Sequence, residues 1–148
     1  MEKTHISRLV RASDLNHHGT LFAGQTAKWM VEACFVAAAK TNKNTENIVC
    51  VNIEGLQFKR PVQNGDIIDI ITFPAYAGKS SLTVVGQVFT HNYGDECILD
   101  TAVTFVILDK GGSPAPHGIV VPCPEDEGDR KYWERFDRKH KKRKNLSR

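Results

Sequence analysis

Apolar side chains recur every three or four positions through residues 22–40, at Ala27, Met30, Val31, Cys34, Phe35 and Ala38, which is the spacing of one helical face. That pattern predicts a long helix. Residues 41–47 (TNKNTEN) carry turn chemistry without periodicity, so the helix ends there, before an apolar run opens at Ile48. Strands are predicted from that point at 48–59, 66–76, 80–91 and 96–108, punctuated by Pro61 and Gly65, by Gly78, and by Asn92-Tyr93-Gly94-Asp95. A short first strand is expected at 5–11. A terminal helix is expected over about 126–142, where Tyr132, Trp133 and Phe136 interleave with charges at near-helical spacing. One long helix against a largely antiparallel meander is an α+β arrangement, and no internal repeat interrupts it.

The length of 148 residues, 41% of them hydrophobic, allows one domain with a single core and is short for two. No run of about eighteen apolar residues occurs, and the opening MEKTHISRLV lacks the apolar stretch of a signal peptide. The expected chain is therefore soluble and cytoplasmic, with no membrane partner. Cys34, Cys50, Cys97 and Cys123 are scattered without paired spacing and are expected to be free, inert thiols. A nucleophilic Cys34 would need a neighbouring histidine, and nothing in the sequence places one there. Charge is uneven: the last twenty residues hold ten Lys or Arg against three Asp or Glu, so a chain of net +3 is +7 at its end and −4 elsewhere. A packed helix with a frayed basic end accounts for this, and cations that help hold phosphates are the sharper alternative. Nucleic acid is not expected as a partner, because no RNA-binding motif accompanies the charge.

Candidate chemistry concentrates in residues 14–33, DLNHHGTLFAGQTAKWMVEA, where a polar loop runs into the long helix. The first N–H groups of a helix lack internal partners and lie at the positive end of its dipole, so an oxygen gaining negative charge is stabilised there. Gly24 has no Cβ to hold a substrate carbonyl away from its backbone, and Asn16 offers an amide to orient a carbonyl or a water. His17 and His18 are adjacent, with no HxxxH or HxH spacing and no cysteine pair near them, so no metal site is expected.

This stretch, followed by FKRPVQNGDII at 58–68 and AGKSSLTV at 77–84, resembles the acyl-CoA thioesterases of the hotdog fold, above all their cytosolic acyl-CoA hydrolase branch, over roughly residues 5–115. The resemblance implies a long central helix wrapped by a curved, mainly antiparallel sheet, with residues 1–125 as the thioesterase domain and 126–148 as a basic C-terminal helix and tail. It implies a hydrolase that cleaves an acyl-CoA to free CoA and a carboxylic acid, with coenzyme A as part of the substrate and no separate cofactor. It also implies homodimers, joined into tetramers or hexamers, with the active site between subunits. The family's coenzyme A contacts match Arg60, Gly78, Lys79 and Ser80. Each has a plain role too, since Gly78-Lys79 makes a good hairpin turn and Arg60 before Pro61 ends a strand. Asp66 reads as a loop cap.

In that family a loop asparagine works with an acid on the central helix. The matching positions are Asn16 and Val31, so the acid is missing from its place and the nearest carboxylate is Glu32. One residue along a helix is a rotation of about 100°. Either Glu32 makes up the difference by its length or a π-bulge, serving as general base or nucleophile, or it pairs with Lys28 on a solvated face. The expected site combines Asn16 from one subunit with Glu32 from the other, together with the Gly24 amide. Two other functions stay open. One is a non-catalytic acyl-CoA-binding protein that lost hydrolysis with the acid; the other is a hotdog hydratase or dehydratase that acts on an enoyl thioester through His17 or His18.

Overall fold

A computed structural model describes residues 2–146. Its strands are β1 (Thr4–Leu9), β2 (Ile48–Ile53), β3 (Ile67–Ala77), β4 (Ser81–Thr90) and β5 (Leu99–Ile107); its α-helices are α1 (Ala23–Asn42) and α2 (Glu127–Leu146). The strands form one antiparallel sheet in the order β1-β3-β4-β5-β2. The expected meander holds for β3, β4 and β5 only. β1 and β2 sit at opposite edges, because α1 carries the chain across the face of the sheet between them.

Alternation along the strands divides the molecule into layers. Ile68, Ile70, Leu82, Val84, Val88, Leu99, Val103 and Phe105 pack with Trp29, Met30, Ala33, Cys34, Ala37 and Ala38 of α1. Phe73, Ala75, Val85 and Ala102 turn to the other face and pack with Tyr132 and Phe136 of α2. The helices thus cover opposite faces. α1 ends where the turn chemistry predicts: Lys43 adopts the left-handed conformation at φ 62° and donates its N–H to Ala39 O at 2.7 Å.

The second strand is shorter than the predicted 48–59. A bulge between Cys50 and Asn52 disturbs its pairing with β5, and the chain leaves the sheet after Ile53 as an irregular loop that reaches β3 on the far side. β2 is therefore an edge strand, with Val49, Val51 and Ile53 exposed at 40%, 56% and 48%. Such an edge leaves backbone donors and acceptors unpaired beside an apolar surface.

α1 lies close to the sheet because small residues meet there. A Cβ on Gly86 of β4 would overlap Met30 Sδ and stand 3.1 Å from Cys34 Sγ, both buried, while Thr72 Oγ1 donates to Ala33 O at 3.3 Å. Gly86→Ala is expected to lower folding stability by about 1–3 kcal/mol through overpacking, read as a shifted denaturation midpoint. An unchanged midpoint would mean that the contact between α1 and β4 is loose.

Candidate functional site

The loop ahead of α1 closes as a small hairpin. Asn16 N–H donates to Thr20 O at 2.7 Å, Leu15 and Leu21 bridge, and Gly19 takes the turn at φ 80°, donating its N–H to Asn16 O at 3.0 Å. The Asn16 side chain is fastened inside this loop. Its Oδ1 accepts the N–H of His18 at 2.9 Å and of Thr20 at 3.2 Å, and its Nδ2 donates to Thr20 Oγ1 at 3.0 Å. Asp14 clamps the base of the loop: its carboxylate accepts the Arg11 N–H and Gln25 Nε2, both at 2.9 Å, and its carbonyl accepts the Phe22 N–H at 2.8 Å. The hydrogen bond from the Arg11 N–H, with help from Gln25 and nearby arginines against the opposing effect of burial, holds the Asp14 carboxyl below the usual aspartate range.

α1 begins at the end of this hairpin without a side-chain cap. Gln25 and Thr26 donate back to Phe22 O at 3.1 and 3.2 Å, whereas the N–H groups of Ala23 and Gly24 find no acceptor among the described residues. These are the free donors that a helix N-terminus presents. Ala23, Asn16, Thr20, Phe58, Lys59 and Arg60 line one cleft of about 340 Å³, completed by Leu21, Pro61 and Val62. The two chain segments are held together by Leu21 N–H donating to Val62 O at 2.8 Å. Gly24 lies beside the cleft, beneath the Phe22 ring, where an added Cβ would stand 2.5 Å from Phe22 Cε1.

The expected residues separate into those the fold gathers and those it does not. Asn16 and Arg60 share the cleft, with the Arg60 Nε 3.3 Å from a Glu96 carboxylate oxygen and its guanidinium 5.6 Å from the Tyr93 ring centre. Gly78, Lys79 and Ser80 form the β3–β4 hairpin, at the opposite end of the eleven-residue β3 from the cleft. That hairpin is tied down locally: Gly78 N–H donates to Ser81 O at 3.0 Å, and the His117 N–H donates to Lys79 O at 3.2 Å. Asp66 caps as expected, accepting the Gln63 N–H at 2.8 Å and Asn92 Nδ2 at 2.7 Å.

Within the protomer Glu32 pairs with Arg8 and not with Lys28; its expected meeting with Asn16 is one between subunits. Its carboxylate lies 3.7 Å from Arg8 Nη2 on β1, and the Arg8 guanidinium also sits 5.1 Å from the Trp29 ring centre. α1 is regularly α-helical throughout, with no π-bulge, so Val31 stands about 100° around the axis from Glu32. Val31 shares its flank with Phe35, whose ring meets Phe105 of β5 at 5.9 Å between centroids. Val31 therefore faces the β5–β2 side of the sheet, and Glu32 the β1 side.

The His17 and His18 rings meet at the exposed loop tip, tilted by 42° with centroids 3.9 Å apart, and no group of three or more His, Cys, Asp or Glu among the described residues is arranged to hold a metal ion. Burial pushes the Cys34 thiol up to about 12, which leaves it protonated at neutral pH. The cations of α2 lie on the other face of the sheet from α1, where Arg135 and Lys139 both pair with Glu54. Thr20, Ala23, Phe58 and Lys59 line the cleft without being singled out by the sequence. Lys59 belongs to the same basic pair as Arg60, and Thr20 follows Asn16 by the four positions that close a hairpin.

The sequence profile of the thioesterase superfamily matches residues 18–97. An uncharacterized acyl-CoA thioester hydrolase of Bacillus subtilis is 28% identical over 129 residues, 82% of this chain and 74% of that protein. Acyl-coenzyme A thioesterase 11 of Mus musculus is 31% identical over 93% of this chain, which spans only 24% of the mouse protein. Among solved structures, the acyl-CoA hydrolase of Staphylococcus aureus, in complex with butyryl coenzyme A, coenzyme A and coenzyme A disulfide, superposes with a TM-score of 0.82 at 28% identity, covering 98% of this chain and 85% of that one. That hydrolase has also been solved with an aspartate and with an asparagine replaced by alanine, the two lying fifteen positions apart. An apo-hexameric acyl-CoA thioesterase matches with the same TM-score of 0.82 at 26% identity, over 98% of this chain and 92% of its own.

The Asp14 clamp has a pH signature. Because its folded pKa is lowered, its stabilising contribution is complete above the ordinary aspartate range and is lost as pH falls through the folded value. As pH falls below the ordinary aspartate range the parent is expected to lose folding stability more steeply than Asp14→Asn in parallel urea titrations. Equal pH slopes would contradict the clamp.

Proposed function

The chain belongs to the thioesterase superfamily, and on that premise we propose that it hydrolyses acyl-CoA thioesters at the cleft beside the N-terminus of α1, to give free CoA and a carboxylic acid. The observation that carries this reading is the convergence of Asn16, Ala23 at the uncapped start of α1, Lys59 and Arg60 on one cleft, with Gly24 beside it. A thioester carbonyl placed there would accept from the Asn16 amide and the α1 N–H groups, which stabilise its oxygen as charge develops on it. Water adds to the carbonyl carbon, the C–S bond breaks, and the departing CoA thiolate takes up a proton. Lys59 and Arg60 suit the phosphates of the CoA portion. Gly78, Lys79 and Ser80, at the far end of β3, suit contact with coenzyme A bound to another protomer.

Assembly is part of the proposal. The exposed edge strand β2, with Val49, Val51 and Ile53, suits pairing with a second copy as a homodimer, itself the unit of a tetramer or hexamer. No helix among the described residues is long and apolar enough to cross a membrane, and a cytoplasmic location belongs to the same proposal.

The acid is where this chain departs from its relatives. An asparagine and an acid fifteen positions apart would stand here at Asn16 and Val31, while Glu32 turns to Arg8. The proposed mechanism therefore relies on positioning and on stabilisation of the carbonyl oxygen, without a carboxylate base. General-base assistance contributes on the order of 10²–10⁴ in rate. The same observation favours a second reading, an acyl-CoA-binding protein that does not turn its ligand over.

Release of free CoA thiol from acyl-CoAs of graded chain length separates these readings. The parent is expected to release thiol slowly, Asn16→Ala to lower kcat by at least about tenfold, and Val31→Asp to raise it by at least about tenfold. Glu32→Gln should stay within about threefold of the parent, as expected for an exposed ion pair. Binding without release in both the parent and Val31→Asp would establish the binding protein. Loss of activity in Glu32→Gln would return the base to Glu32, and hydration of an enoyl-CoA without thiol release would point to the loop histidines.

A further inference from the structure

The hydrogen bonds inside the hairpin assign the Asn16 amide a single orientation. Two backbone N–H groups, from His18 and Thr20, point at one side-chain atom, and only the carbonyl oxygen can accept from both. The oxygen is thereby occupied inside the loop, and the Thr20 hydroxyl lies against both amide atoms: Oγ1 stands 3.3 Å from the oxygen, and the nitrogen donates one of its two hydrogens to Oγ1 at 3.0 Å. Its second hydrogen remains for the cleft that Asn16 and Thr20 both line.

We propose that Thr20 is a positioning residue, whose hydroxyl holds the Asn16 amide so that Asn16 acts on substrate as a donor only. This rests on the hydrolytic reading of the cleft and deepens it. Asn16 then donates to the thioester carbonyl oxygen and does not draw a proton from the attacking water, because its acceptor is spent on the loop. Thr20 Oγ1 is suited to the task by its own anchoring: Thr20 donates its N–H to Asn16 Oδ1, its carbonyl accepts the Asn16 N–H at 2.7 Å, and it bridges to Gln63 across the cleft. Three backbone ties fix where the hydroxyl stands, so removing the hydroxyl frees the amide nitrogen without opening the hairpin.

Thr20→Val, Thr20→Ser and Asn16→Asp test this against the parent with butyryl-CoA as the probe. Thr20→Val is expected to lower kcat by at least about tenfold with KM within about threefold, and Thr20→Ser to restore kcat. Asn16→Asp keeps an acceptor for the two backbone N–H groups but loses the donor, so it should fold with a parent-like melting temperature and lose kcat. An unchanged kcat in Thr20→Val, or a serine variant that fails to restore it, would overturn the proposal. A second readout does not depend on turnover: the Asn16 side-chain NH₂ protons, followed by NMR, should exchange with solvent faster in Thr20→Val and return to the parent rate in Thr20→Ser. If the parent released no thiol, the hydrolytic reading would fall while exchange still decided the role of Thr20; equal exchange in all three proteins would overturn it.

Discussion

The close contact between α1 and the middle of the sheet sets the position of everything else. A helix of twenty residues crossing the strands needs small side chains where it touches them, and Ala33, Ala37 and Ala38 on the helix and Gly86 on β4 supply these. With α1 seated there, Met30 and Cys34 rest directly on Gly86, and the first turn of the helix is carried out to the start of β3. The free N–H groups of that turn are thus a consequence of packing some distance away. A core built for close approach fixes a site at its rim.

At the rim, polar groups are organised by one another. Asp14 closes the base of the hairpin, Asn16 and Thr20 close its tip, and a bridge to Val62 brings Phe58, Lys59 and Arg60 alongside. Almost every polar atom of this loop has a partner within it. Toward the cleft the groups left over are donors, the second Asn16 amide hydrogen and the Ala23 N–H, so the cleft suits an oxygen that gains negative charge. It suits attack on a thioester carbonyl better than it suits proton abstraction. The absence of a carboxylate at Val31 fits the same description, since Glu32 is turned by the regular helix toward Arg8 and the opposite edge of the sheet.

The helices and the central strands were legible in the sequence because each has a period of its own. α1 departs from its expected bounds by one or two residues, and β3 and β4 by one. β2 was overestimated because the apolar residues of 54–59, Leu56 and Phe58, continue an alternation that no neighbouring strand is present to pair with, and the ladder with β5, bulged at Cys50–Asn52, ends at Ile53. The edge positions of β1 and β2 were not legible from a pattern that describes each strand singly. At the site, Asn16 and the α1 N-terminus could be read from turn and cap chemistry. Thr20 and Lys59 could not, since their part depends on a hairpin closing and a distant loop folding back onto it. The choice of Arg8 over Lys28 by Glu32 was equally hidden, because a sequence shows partners one helical turn away and not those on a strand beneath.

The central claim is that a thioester carbonyl sits against the α1 N-terminus. The most direct measurement is hydrogen exchange across residues 14–26, with and without a non-hydrolysable thioether analogue of an acyl-CoA bound. The account predicts that exchange at Ala23 and Gly24 slows markedly on binding, since these N–H groups have no partner in the free protein. Unchanged exchange at both, in a protein that demonstrably holds the analogue, would contradict it.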